Sequence, residues 1–217
     1  MLEDLRLFLR AQDLMIANQA APAAAILVKL LEHDPQNPQF LLKLAAASEK
    51  TGDDVKAERA YRDLLARHPT FYLAYRSFGD FLESRKRARE SREIWLRLQG
   101  FLPGYVGIEV RLAQAEIAAG LAGEAEKRLT AYLDVRPGDA EAWAQLGRAR
   151  FSLGQQDAAL EAYRRAVALV PSQRQAVEGA VGIFLLRGER EEARKFVDEL
   201  IRRDPLDPLL RVTRKPL

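Results

Sequence analysis

The chain has 217 residues, 48% of them apolar and 30% charged, with 34 Lys and Arg against 31 Asp and Glu. This is too apolar for a disordered chain, and the net charge of only +3 gives no basic excess aimed at a polyanion. The absence of cysteine excludes disulfides, zinc–thiolate sites, iron–sulfur clusters and thiol catalysis.

Six prolines set the organisation. Pro35, Pro69, Pro103, Pro137, Pro171 and Pro205 follow one another at intervals of 34 residues. They divide the chain into repeats 4–37, 38–71, 72–105, 106–139, 140–173 and 174–207. Such a period predicts stacked helix pairs, none of which can bury both of its faces alone.

In repeat one, Leu5, Phe8, Met15 and Ile16 add apolar surface, and Pro22 suits the first turn of a second helix. Repeat two opens with Asn37 as a helix cap and Pro38 in the first turn. Leu41, Leu44, Ala45 and Ser48 share one helix face, and Ala57, Tyr61 and Leu64 share another. Gly52-Asp53 breaks the run between them. Repeat three places Lys86 where its neighbours have Gly or Asn. A left-handed lysine costs about 1 kcal/mol, so this turn is expected to be reshaped. Around it runs Arg85-Lys86-Arg87-Ala88-Arg89, flanked by Glu83, Glu90 and Glu93 and free of aromatics. It reads as a solvated turn rather than a phosphate-binding surface. Arg outnumbers Lys 26 to 8, which has the look of GC-rich, bacterial coding.

Repeat four carries Glu109 at a large apolar place, and Glu116 is expected to pair with Arg150 of repeat five. Asp139 caps the start of repeat five and Asp207 the segment after repeat six. That segment, 208–217, begins a seventh helix at Pro208-Leu209-Leu210 and stops, so the last repeat is expected to lack a covering helix. Truncation of a longer chain would explain the stop. Exposed Phe8, Met15, Ile16, Leu209 and Leu210 would permit end-to-end self-association.

Two residue columns accompany the period. Small residues stand at the eighth place, as Gly79 and Gly147 do, and at the twentieth, as Ala57 and Ala159 do. Large ones stand at the twenty-fourth: Leu27, Tyr61, Trp95, Leu129, Tyr163 and Val197. Repeat five shows the full pattern in Trp143, Leu146, Gly147, Gly154, Ala159, Tyr163, Ala166 and Pro171. These offsets resemble the tetratricopeptide repeat (TPR) family, and the resemblance covers residues 4–207.

The resemblance implies an all-α fold, a right-handed superhelical solenoid of six TPR-like helix-turn-helix repeats, with 1–207 as a single array. It implies a non-catalytic scaffold or adaptor whose first helices line a concave groove for a peptide or protein segment. Carried onto this chain, the groove places hold Leu42, Lys43, Arg76, Asp80, Arg111, Gln114, Arg148, Phe151 and Glu178. Further places hold Val110, Ile117, Ala144, Gln145, Leu185 and Leu186. Lys43, Arg76, Arg111 and Arg148 form a basic series suited to acidic groups, since arginine grips a carboxylate through two parallel hydrogen bonds. The Lys/Asn/Arg clamp of chaperone-binding members and the Asn ladder of sugar-transferring members are absent. A second reading makes the chain part of a larger bacterial glycosyl- or sulfo-transferase, or of a secretion or exopolysaccharide export assembly. Nucleic-acid binding ranks third.

No cofactor or metal is expected. His33 and His68 sit at ends of second helices, where a cation complements the helix dipole. No P-loop, HExxH or GxSxG is present. No charged start and apolar core precede a cleavage site, so a cytoplasmic location is the default expectation, or a periplasmic one if the chain belongs to a longer protein. No apolar run is long enough to span a bilayer.

Overall fold

The computed structural model describes residues 2–214. Among them are thirteen α-helices and no strand, grouped in two compact units that divide between Gly104 and Tyr105. The N-terminal unit contains α1 (Leu2–Ile16), α2 (Ala20–His33), α3 (Pro38–Lys50), α4 (Asp54–Arg67), α5 (Tyr72–Ser84) and α6 (Ala88–Phe101). The C-terminal unit contains α7 (Ile108–Ala118), α8 (Ala122–Val135), α9 (Ala140–Ser152), α10 (Gln156–Leu169), α11 (Arg174–Leu186), α12 (Arg190–Arg203) and α13 (Pro208–Arg214). Within each unit helices adjacent in sequence pack together. First helices also meet across one repeat: α3 with α5, α7 with α9, and α9 with α11.

Local chemistry sets the helix ends. Asn37 accepts from the backbone N–H groups of Gln39 and Phe40, at 3.0 and 3.3 Å. Asp139 accepts from Ala142 at 3.0 Å, and Asp207 from Leu209 at 2.8 Å. These caps stand where the sequence puts them. Every second helix ends two residues before its repeat's proline, because the residue preceding proline avoids the α region.

The turn between paired helices is left-handed in all six repeats, at Asn18, Gly52, Lys86, Gly120, Gly154 and Gly188. Lys86 therefore keeps the turn, with φ +59°, and the expected reshaping does not occur. The Lys86 N–H donates to the Glu83 carbonyl and the Arg87 N–H to the Leu82 carbonyl, both at 2.9 Å. Gly154 and Gln155 repeat that pattern. The flanking arginines tie the turn to α4 and α6. Arg85 grips both oxygens of Asp54 at 2.6 Å, and Arg87 grips Glu58 at 2.6 and 2.9 Å and Glu90 at 2.7 and 2.6 Å. The Arg87 guanidinium holds the Glu58 carboxyl below its ordinary range, ahead of the opposing effect of burial. Much of the basic run is thus neutralised by acids of α4 and α6.

The core explains the small and large columns. Trp95 is fully buried, and a Cβ at Gly79 would lie 2.6 Å from its ring. Tyr163 lies between Gly147 and Gly179, where added Cβ atoms would come within 2.5 and 2.4 Å of its ring. Burial pushes the Tyr163 phenol up to about 12. Tyr61 stacks on Phe78 at 5.3 Å.

Repeat four departs from this apolar scheme. Glu116 is 0% exposed, and both its oxygens accept from Arg128, at 3.0 and 2.9 Å. Arg128 also donates to Glu109 at 2.7 Å. Glu109 stands at an apolar place because it shares this guanidinium. The expected Glu116–Arg150 pair is not formed: Arg150 reaches Glu126 at 3.1 Å instead. Arg128 directly precedes the column residue Leu129 and is reached within its own repeat, which the offset pattern did not reveal.

The end after repeat six also differs from expectation. The seventh helix forms as α13 and packs on α12 and α11. Leu210 is 0% exposed within the core of repeats five and six, and Arg214 pairs with Asp198. A covering helix is therefore present, though short. Residues 215–217 of the anticipated tail lie outside the described residues.

Candidate protein-binding surface

The nine groove residues fall on two units. In the N-terminal unit α3 carries Leu42 and Lys43, and the adjoining α5 carries Arg76 and Asp80. Lys43 is half-buried and Arg76 exposed. Neither has an ion-pair or hydrogen-bond partner among the described residues, whereas Asp80 is engaged.

In the C-terminal unit α7 carries Arg111 and Gln114, α9 carries Arg148 and Phe151, and α11 carries Glu178. Arg148 is half-buried and has no ion-pair partner among the described residues. Its charge lowers the Tyr163 phenol slightly against the dominant effect of burial. Phe151 is 39% exposed. Arg111 is engaged within the fold, and Glu178 accepts from Arg174 at 3.2 Å.

Several secondary groove places turn inward. Val110, Ile117, Ala144 and Gln145 are buried and do not line a surface, because these helices pack on neighbours along more than one face. Leu185 and Leu186 are exposed.

A hydrogen-bonded row links the first helices of the C-terminal unit. The Glu141 carboxylate accepts from Gln114 at 3.1 Å, Gln145 at 2.8 Å and Gln173 at 2.8 Å. Gln145 also donates to Gln175 at 2.6 Å. Glu141 and Gln175 occupy the second place of repeats five and six, a groove place. That position was the signal that could have found them.

The histidines act as staples. The His33 Nδ1 lies 2.8 Å from Asp4, which holds that carboxyl below its ordinary range. The His68 Nε2 lies 2.6 Å from the Gln36 carbonyl. Among the described residues no group of three or more His, Asp or Glu could hold a metal ion. Among the described residues no helix is long and apolar enough to cross a membrane.

Paired helices on a fixed period, with polar side chains presented from the first helix of each pair, define a helical-repeat protein. Tetratricopeptide repeat profiles match residues 14–78, 110–174 and 145–208. The chain belongs to the tetratricopeptide repeat family. Arrays of this family are protein-interaction scaffolds, in general without catalytic chemistry of their own.

No curated protein matches the sequence. Among solved structures, PilW, described as a widely conserved type IV pilus biogenesis factor, is similar. It is 21% identical with a TM-score of 0.71, over 96% of this chain and 97% of that one. A tetratricopeptide repeat protein from Parabacteroides merdae is 14% identical with a TM-score of 0.79, over 99% and 85%. A MamA RS-1 double mutant is 16% identical with a TM-score of 0.67, over 79% and 96%. At these identities the likeness shows the fold.

Proposed function

We propose that the chain is a non-catalytic adaptor whose first-helix surfaces bind protein segments bearing acidic groups. One observation carries this reading. Lys43, Arg76 and Arg148, at groove places, have no acidic partner among the described residues. The arginines that tie the helices of the fold together are engaged: Arg85, Arg87, Arg150 and Arg187 pair with carboxylates of the preceding repeat, and Arg128 with those of its own. An unpaired cation on a preformed surface steers an acidic segment and fixes its register, while a paired one is already neutralised. That contrast also argues against a phosphate-binding role for the run at 85–89, where both Arg85 and Arg87 are clamped.

The test uses immobilised acidic, neutral and basic peptides as probes. Acidic peptides are expected to bind. Arg76→Glu and Arg148→Glu should each weaken that binding about tenfold or more, since charge-assisted pairs are the strong ones, with helical circular dichroism unchanged. Binding that survives both changes overturns the proposal.

The second reading, a part of a larger bacterial transferase or of a secretion or exopolysaccharide export assembly, draws on the likeness of fold to PilW, itself described as a type IV pilus biogenesis factor. It predicts association with components of such a machine in the native host.

A further inference from the structure

Helix α1 is apolar on two faces and uses only one. Ala11 is buried, and Leu7, Phe8 and Met15 pack with it on the core beneath α2, so Phe8 and Met15 do not offer the exposed surface expected of them. On the opposite side Leu2, Leu5, Leu9 and Ile16 are 78, 54, 50 and 85% exposed. With Gln12 they occupy positions 2, 5, 9, 12 and 16, alternating steps of three and four. That spacing is the seam of a coiled coil, which fits another helix laid along it.

Charge identifies the occupant. Arg6 and Asp13 flank the seam on one side, one heptad apart and opposite in sign. Both are exposed and have no ion-pair partner among the described residues. We infer that the α1 seam docks on the same seam of a second copy, antiparallel about a two-fold axis. Leu5 then faces Ile16 of the second copy, and Leu9 faces its Gln12. Arg6 of each copy meets Asp13 of the other, so two ion pairs form by symmetry. A parallel pairing sets these charges opposite Phe8 and Met15 instead and satisfies neither. Glu3, Arg6, Arg10 and Asp13 put two charges of each sign along the helix, and this balanced set favours a complementary protein surface over an anionic lipid one. This inference is independent of the groove reading.

The test measures the mass of the intact chain by sedimentation across a concentration series. The wild type is expected to dimerise. Leu5→Glu combined with Leu9→Glu should give a monomer of unchanged helicity, because both side chains point to solvent within one copy. Arg6→Asp alone and Asp13→Arg alone should each raise the dissociation constant about tenfold, since each reversal turns two attractions into repulsions. The two reversals together should restore the dimer. A wild type that stays monomeric, a dimer that survives the leucine changes, or a double reversal that fails to rescue each overturns the inference. So does a monomer that binds anionic vesicles through the same leucines.

Discussion

Repeats four and five fill the space between their paired helices with opposite chemistry. In repeat five the ring of Tyr163 occupies it, and Gly147 and Gly179 make room by having no side chain. In repeat four a guanidinium joins two carboxylates, one of them fully buried. The first solution is limited by shape and the second by charge. An added methyl should therefore harm one and a lost charge the other.

The largest effect expected is at Arg128. Arg128→Met removes the bidentate partner of buried Glu116 and should cost about 3 kcal/mol, since breaking a buried ion pair from one side is strongly destabilising. Replacing Glu109, Glu116 and Arg128 together by Leu, Leu and Met should recover most of that loss. Urea unfolding measures both, and a single variant as stable as the wild type would show that the cluster carries no structural charge.

Next comes Gly147→Ala, whose Cβ falls 2.5 Å from Tyr163. Overpacking should cost about 2 kcal/mol. Adding Tyr163→Leu should make the alanine nearly neutral, because the clash is with that ring. A full cost that persists in the leucine background would place the strain elsewhere.

The smallest effect lies in the turn column. Lys86→Gly should stabilise by up to about 1 kcal/mol, because it removes the left-handed strain, and Gly154→Lys should cost about as much. If the two are not opposite in sign in thermal unfolding, the clamps at Arg85 and Arg87 have remodelled the turn energetically as well as held it.

Much of the fold was legible in the sequence. Period, helix pairs, caps at Asn37, Asp139 and Asp207, and the match of Gly79 to Trp95 are all local or fixed-offset features. The surface was less so. Groove places gave Arg76, Arg148 and Phe151 as accessible, but assigned Val110, Ala144 and Gln145 to a surface they do not reach. They passed over Glu141, which collects three glutamine donors. A place in a repeat tells which helix face a residue is on, but not how much of that face its neighbours cover.

The sequence by itself determined that this is a helical-repeat chain of the tetratricopeptide family, because backbone punctuation recurs every 34 residues and each signal acts within its own repeat. Only the tertiary structure decided which charges pair, that Leu210 plugs the last repeat, and that α1 keeps an apolar seam exposed. Those outcomes depend on side chains far apart in the chain competing for the same partner or the same space, and no period records the result of that competition.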